Sequence, residues 1–253
     1  MPSHAATRAA PVDEQRRATE LVITGLSVSF GGVHALSDVD LSIAAGELVG
    51  LIGPNGAGKS TFVDAVTGYV RPTGGQVSFD GRAATRWSPS RLAHAGLVRT
   101  FQHLELFDDL TVWENIAIAA RSSCRGSAAT AARALDLCKL SDIRDYVVTQ
   151  VPAGRRRLVA LARALAAAPI LLLADEPAAG LDSHESAEFG TVLRGLVDDG
   201  LGILLIDHDM SLVLSVCDRL AVLVSGAKLT EGTPAEVRIN KAVIAAYLGG
   251  AAT

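Results

Sequence analysis

Cysteine is scarce in this chain. Its three copies, Cys124, Cys138 and Cys217, are odd in number and lack metal-ligand spacing, which excludes a disulfide framework and a thiolate metal site. They are expected to be small buried hydrophobes in a reducing compartment. An excess of positive charge is missing too: 23 Lys and Arg stand against 27 Asp and Glu, a net charge of −4. Such a chain has no overall basic field to hold nucleic acid or an anionic membrane surface, and nucleic acid is not expected among its partners. Long hydrophobic runs are also absent. The longest, at 158–174, is broken by Arg163 and Pro169 and is too short for a comfortable bilayer span. Residues 1–20 lack the apolar core of a secretory signal and read as a flexible tail. There is no internal repeat and no heptad run.

What is present is a core-forming composition. With 253 residues, 49% of them hydrophobic and 20% charged, the chain suits one large domain, expected over 21–248 between tails at 1–20 and 249–253. "LVITGLSVSF" (21–30) and "DVDLSI" (38–43) alternate apolar and polar residues, as half-buried antiparallel strands do. "ELVGLIG", "ILLLAD", "GILLID" and "RLAVLV" are short and almost wholly apolar, as expected of parallel strands covered on both faces. A stretch at roughly 85–165 has helical periodicity and few strand signals. The expected fold is therefore α/β: a parallel-sheet core, an antiparallel β unit at the N-terminus, and an inserted helical subdomain over about 100–166. "TPAEVRINKAVIAAYLG" should add one or two short helices.

"GPNGAGKST" (53–61) follows the third strand and precedes a helix expected from about Lys59 to Val66. A loop of the form G-x-x-x-x-G-K-[ST] turns backbone N–H groups inward, because its glycines remove side chains and admit unusual backbone angles. With the helix N-terminus behind them, those groups cradle an anion. Gly53, Gly58, Lys59 and Ser60 fit the pattern, with Lys59 placed for the β/γ-phosphates and the Ser60 hydroxyl for Mg²⁺. Pro54, Asn55, Gly56, Ala57 and Thr61 complete the candidate nucleotide ligands. "ILLLADEP" ends a buried strand in two carboxylates: Asp175 to hold Mg²⁺ and Glu176 to orient and deprotonate an attacking water. Such a loop needs a metal-binding Asp on a neighbouring strand, and this one supplies it. "LLIDHDM" ends another strand in Asp207, His208 and Asp209, and His208 there can hydrogen-bond a γ-phosphate and the activated water.

This combination resembles the ATP-binding subunits of ABC transporters over about residues 20–248. "GPNGAGKST" resembles the family's Walker A loop of a P-loop NTPase core, "ILLLADEP" its Walker B strand with the following glutamate, "AGLD" (179–182) with Asp182 its D-loop, and "DHD" its switch-histidine loop. Gln102 in "VRTFQHLELF" matches the glutamine that, in the family, reaches the metal and the water. Phe30 falls where the family stacks an aromatic on adenine; an ordinary core-strand aromatic is the other reading. The signature segment departs most. Where the family usually reads close to LSGGQ, this chain has Val151, Pro152, Ala153, Gly154 and Arg155. Pro152 brings no hydroxyl to a partner's γ-phosphate, so backbone N–H groups and the helix N-terminus must supply that contact. Arg155, Arg156 and Arg157 at a helix start oppose the helix dipole; either an arginine compensates for the lost hydroxyl, or the run is solvated with its stems packed.

"SFGGVHAL", "RTFQHLELFDDLTVWENI" and "EGTPAEV…AYLG" are similar to the branched-chain amino-acid importer branch, which includes relatives for other small polar solutes. The resemblance implies ATP and Mg²⁺ as ligands, with Ser60, Gln102 and Asp175 on the metal. It implies a second ATPase subunit, identical or not, two transmembrane permease subunits, and indirectly a solute-binding protein, at the cytoplasmic face of the membrane. Leu106, Phe107 and Trp113 are candidate anchors for a short permease helix, with core packing as the competing reading. Two other functions stay open: a low-turnover regulatory subunit of a heterodimer, and a soluble ABC ATPase outside transport.

Overall fold

The computed structural model describes residues 20–100 and 104–249. In chain order the strands are β1 (Glu20–Phe30), β2 (Val33–Ala44), β3 (Leu48–Ile52), β4 (Gly74–Phe79), β5 (Arg82–Ala83), β6 (Leu97–Arg99), β7 (Leu171–Asp175), β8 (Gly202–Ile206), β9 (Arg219–Val224) and β10 (Ala227–Gly232). The helices are α1 (Lys59–Val66), α2 (Pro89–Ala95), α3 (Val112–Ser122), α4 (Ala128–Leu137), α5 (Ala153–Ala166), α6 (Ser183–Asp198), α7 (Met210–Val216), α8 (Pro234–Ile239) and α9 (Lys241–Gly249).

Two sheets form. One runs β2-β1-β4-β5 with antiparallel pairs, the other β10-β9-β3-β8-β7-β6, parallel from β9 to β6 and antiparallel only between β9 and β10. All five residues of β3, β7 and β8 are buried, because both faces of this sheet are covered. Alternation assigns each residue to a side. Val49, Leu51, Leu173, Leu204 and Ile206 pack towards the antiparallel sheet with α1 residues Phe62 and Val63. Leu48, Ile52, Leu172, Ile203 and Leu205 pack towards α6 residues Phe189 and Leu193 and the α3–α5 helices. The period of two along each strand thus builds two cores from one run of apolar residues.

Several expectations need correction. "GGQVSF", "LVR" and "AKLTEG" form β4, β6 and β10, none of which the sequence announced. β6 lies inside the stretch read as helical and forms the edge of the larger sheet. The carboxylate strand β7 is not adjacent to β3, since β8 lies between them. Cys138 and Cys217 are buried, but Cys124 is exposed. Among the described residues no helix is long and apolar enough to cross a membrane.

Candidate nucleotide site

β3, β8 and β7 run parallel as neighbours, so the residues after their carboxyl ends meet along one edge of the sheet, where open α/β sheets bind ligands. After β3 comes the glycine loop. Gly53 has φ 155° and Gly58 has φ 102°; a Cβ at Gly53 would stand 2.2 Å from the Leu223 carbonyl oxygen, and one at Gly58 2.8 Å from that of Ala35. Only glycine meets both the angles and the space. Gly58 caps α1 without a side chain, which leaves the first-turn N–H groups of Lys59, Ser60 and Thr61 without intrahelical acceptors. Lys59 is buried, and its Nζ donates to the carbonyls of Gly53 at 2.6 Å and Pro54 at 3.1 Å. Burial pushes its ammonium below the ordinary lysine range, while Glu176 and Asp175 oppose that shift. Asn55, Gly56 and Ser60 are exposed at the loop, and Ala57 is buried beneath it.

Asp175 closes β7. Its Oδ2 accepts from Arg99 Nη2 at 2.8 Å, and Arg99 Nη1 donates to Asp64 Oδ1 at 2.5 Å. Sequence reasoning missed Arg99; its only trace was one basic residue three places before Gln102. Glu176 follows with φ 48°, an uncommon conformation for a residue with a Cβ. Its N–H donates to the Ile206 carbonyl at 2.7 Å, and its Oε1 lies 2.7 Å from His208 Nε2. A carboxylate only accepts, so this bond assigns the proton to Nε2. The sequence had paired His208 with phosphate and water alone. Asp207 is buried and accepts from the N–H of Ala178 at 3.1 Å and of Asp209 at 3.0 Å, tying the two turns together. Gln102 lies outside the described residues.

The signature segment opens α5. Pro152 is its N-cap and makes no side-chain cap bond, and Pro152 and Ala153 are exposed. At Gly154 a Cβ would stand 2.1 Å from Glu185 Oε1, so glycine here leaves room for the Glu185 carboxylate. Asp182 caps α6 in a reciprocal box with Glu185. Arg155 makes an ion pair that the sequence did not show. Both terminal nitrogens bind Asp142 at 2.6 Å, and Nη2 also reaches the Lys139 carbonyl at 2.7 Å; this pairing raises the guanidinium's affinity for its proton and holds the Asp142 carboxyl below its usual range. Arg157 reaches the carbonyls of Glu176 and Pro177, each at 3.4 Å.

Phe30 is 51% exposed at the end of β1, outside the core. Phe107 is 47% exposed, with Arg163 over its ring at 5.4 Å. Leu106 and Trp113 pack on the core, and Arg144 covers the Trp113 ring at 4.4 Å. Tyr247 on α9, which sequence reasoning did not single out, lies near the Gly53 backbone; burial raises its phenol above the ordinary value and the Gly53 backbone opposes the rise. A cavity of about 460 Å³ beside Arg133 and Asp199 is lined by no residue of the glycine loop.

A magnesium ion suits the donors present. The Ser60 hydroxyl and the Asp175 carboxylate are hard oxygen ligands, and among the described residues no cluster of three His, Cys, Asp or Glu could hold a metal by itself. One or two protein oxygens shared with phosphates is the usual magnesium arrangement.

A phosphate-cradling loop with a strand-end carboxylate pair and an adjoining histidine defines a P-loop nucleoside-triphosphatase. The family model described as "ABC transporter" matches residues 36–179, and that described as "Branched-chain amino acid ATP-binding cassette transporter" matches residues 227–253. The high-affinity branched-chain amino acid transport ATP-binding protein BraF of Pseudomonas aeruginosa is 35% identical over 250 residues, covering 91% of this chain and 98% of its own. The corresponding protein LivG of Escherichia coli is 36% identical over 253 residues, with 91% and 98% covered. Among solved structures, the ADP conformation of MJ1267, an ATP-binding cassette of an ABC transporter, superposes with TM-score 0.84 at 29% identity over 91% of this chain and 99% of that one. The dimeric post-hydrolysis state of the cassette MJ0796, bound to ADP and Pi, superposes with TM-score 0.73 at 27% identity, over 85% and 98%. This chain belongs to the ABC transporter family, as an ATP-binding and ATP-hydrolysing subunit.

Proposed function

We propose that residues 21–248 act as one cassette of a pair, at the cytoplasmic face of a membrane, energising two permease subunits that import branched-chain amino acids or a related small polar solute delivered by a binding protein. The observation that carries the hydrolytic part is the convergence of Lys59, Asp175, Glu176 and His208 at the ends of β3, β7 and β8, with Glu176 and His208 in contact at 2.7 Å. The solute is inferred from the printed names of the relatives and from the C-terminal match.

In this reading Lys59 and the loop N–H groups spread the charge of the transferring phosphoryl, and Phe30, exposed at the end of β1, stacks on adenine. Ser60 and Asp175 hold Mg²⁺ with Gln102, and the ion when bound neutralises phosphate charge. Glu176 takes a proton from the attacking water at its carboxylate, and His208 fixes the orientation of that carboxylate. Pro152, Ala153, Gly154 and the α5 N-terminus face the partner's phosphate, with Asp182 at the same seam. Phe107 offers an apolar contact to a permease helix.

A second reading keeps the fold and lowers the turnover: Pro152 has no hydroxyl, and Arg155 is committed to Asp142. This seam then assembles with a different ATPase subunit whose own signature is complete. Affinity purification of the Glu176→Gln chain from native membranes in Mg-ATP tests both. Two polytopic membrane proteins are expected to co-purify; a second, different ATPase with them supports the heterodimer, and recovery of soluble partners alone overturns the transport reading.

A further inference from the structure

Asp64, Arg99 and Asp175 come from three elements. Asp64 is on α1, four residues after Ser60 and therefore on the same helix face. Arg99 closes β6, which pairs with β7 through Arg99↔Leu173, and Asp175 is two residues further along β7. The guanidinium fork joins them, Nη1 to Asp64 at 2.5 Å and Nη2 to Asp175 at 2.8 Å. Arg99 and Asp175 side chains are only 13% and 12% exposed, and Asp64 is 35% exposed. Charges so enclosed act on one another strongly, and a guanidinium does not lose its proton. The residues that would hold a divalent cation, Ser60 and Asp175, thus sit on the two elements that Arg99 ties together.

We propose that this triad sets how tightly the site takes its divalent cation. Arg99 is the positioning residue that holds Asp175, and it competes with the cation for that carboxylate. Asp64 is the second acceptor, which retains the guanidinium as the cation claims Asp175. One positive charge between two negative ones leaves the triad at net −1; neutralising Asp64 brings it to zero and leaves Asp175 as the one carboxylate of the three facing Arg99. The proposal rests on the assignment of the cation to Ser60 and Asp175 made above.

The test is a double-mutant cycle read by Mn²⁺ titration in the presence of ADP, with free Mn²⁺ followed by electron paramagnetic resonance. Asp64→Asn is expected to weaken Mn²⁺ binding on the order of tenfold. In an Arg99→Gln background the same substitution should change it by less than about threefold, because the competitor is gone. ADP binding in EDTA, which reports an intact loop, should match the unaltered chain in Asp64→Asn, Arg99→Gln and the double variant. Equal effects of Asp64→Asn in the two backgrounds would show Asp64 acting through its own charge and overturn the proposal. So would no effect in either. An Asp175→Asn chain that binds Mn²⁺ as tightly as the unaltered one would instead remove the cation assignment itself, and the triad's role with it.

Discussion

Glu176 is where backbone and chemistry meet. Its φ of 48° places a non-glycine residue in a sparsely populated region, a strain of about 1–3 kcal/mol that persists only where the surroundings hold it. They do: Ile206 accepts its N–H, His208 holds its carboxylate, and Arg157 reaches its carbonyl. Glu176→Gln should preserve this geometry and remove the base. ATP turnover is expected to fall roughly 10²–10⁴-fold with nucleotide binding retained, measured by phosphate release and by fluorescent-nucleotide titration. Unaltered turnover would take Glu176 out of the mechanism. The identity of this residue was legible in "ILLLADEP", because two carboxylates at the end of an apolar strand form a local pattern. Its contact with His208 was not, since 32 positions separate the two in the chain.

Helix ends carry most of the remaining local order. Asp209 caps α7 through the N–H groups of Ser211 and Leu212 and accepts from Ser186 Oγ at 2.6 Å. The Ser186 bond, helped by the two N–H groups, holds its carboxyl below the usual range. A depressed carboxylate stabilises the fold above its unfolded-state pKa and loses that contribution as pH falls through the depressed value. Asp209→Ala should therefore cost about 1–2 kcal/mol in neutral buffer and much less in strongly acidic buffer, read from urea midpoints. At the C-terminus, α9 brings Tyr247 to the glycine loop. Tyr247→Phe removes the hydroxyl while keeping the ring, and the ADP dissociation constant should rise about two- to tenfold; an unchanged constant would separate α9 from the loop. Capping pairs such as Asp182 with Glu185 lie three residues apart and can be read from sequence, whereas α9 meets Gly53 only after the whole sheet has formed.

At the scale of the molecule, two cores share one sheet, and α1 links the loop to the first of them. Phe62 is fully buried there, and Phe62→Ala should cost about 3–5 kcal/mol, seen as a lowered denaturation midpoint with a matching loss of nucleotide binding. The proposed pairing of cassettes gives a second measurement: the Glu176→Gln chain in Mg-ATP should sediment as a dimer and return to a monomer when ATP is withdrawn. A monomer throughout would count against closure around two nucleotides.

The glycine loop, the carboxylate-bearing strand, the α/β pattern and the divergent signature segment were all readable in the chain, because each depends on residues a few positions apart. Turn chemistry, strand period and helix start are local physics. The strand order that inserts β8 between β3 and β7, the short edge strand β6, the exposure of Phe30 and the commitment of Arg155 to Asp142 arose only on folding. So did the bridge from Arg99 to Asp64 and Asp175, whose partners lie 35 and 76 positions away. An arginine in a line of text can meet any acid; which acid it meets depends on the backbone path, and that path is chosen by burial of the two cores as a whole.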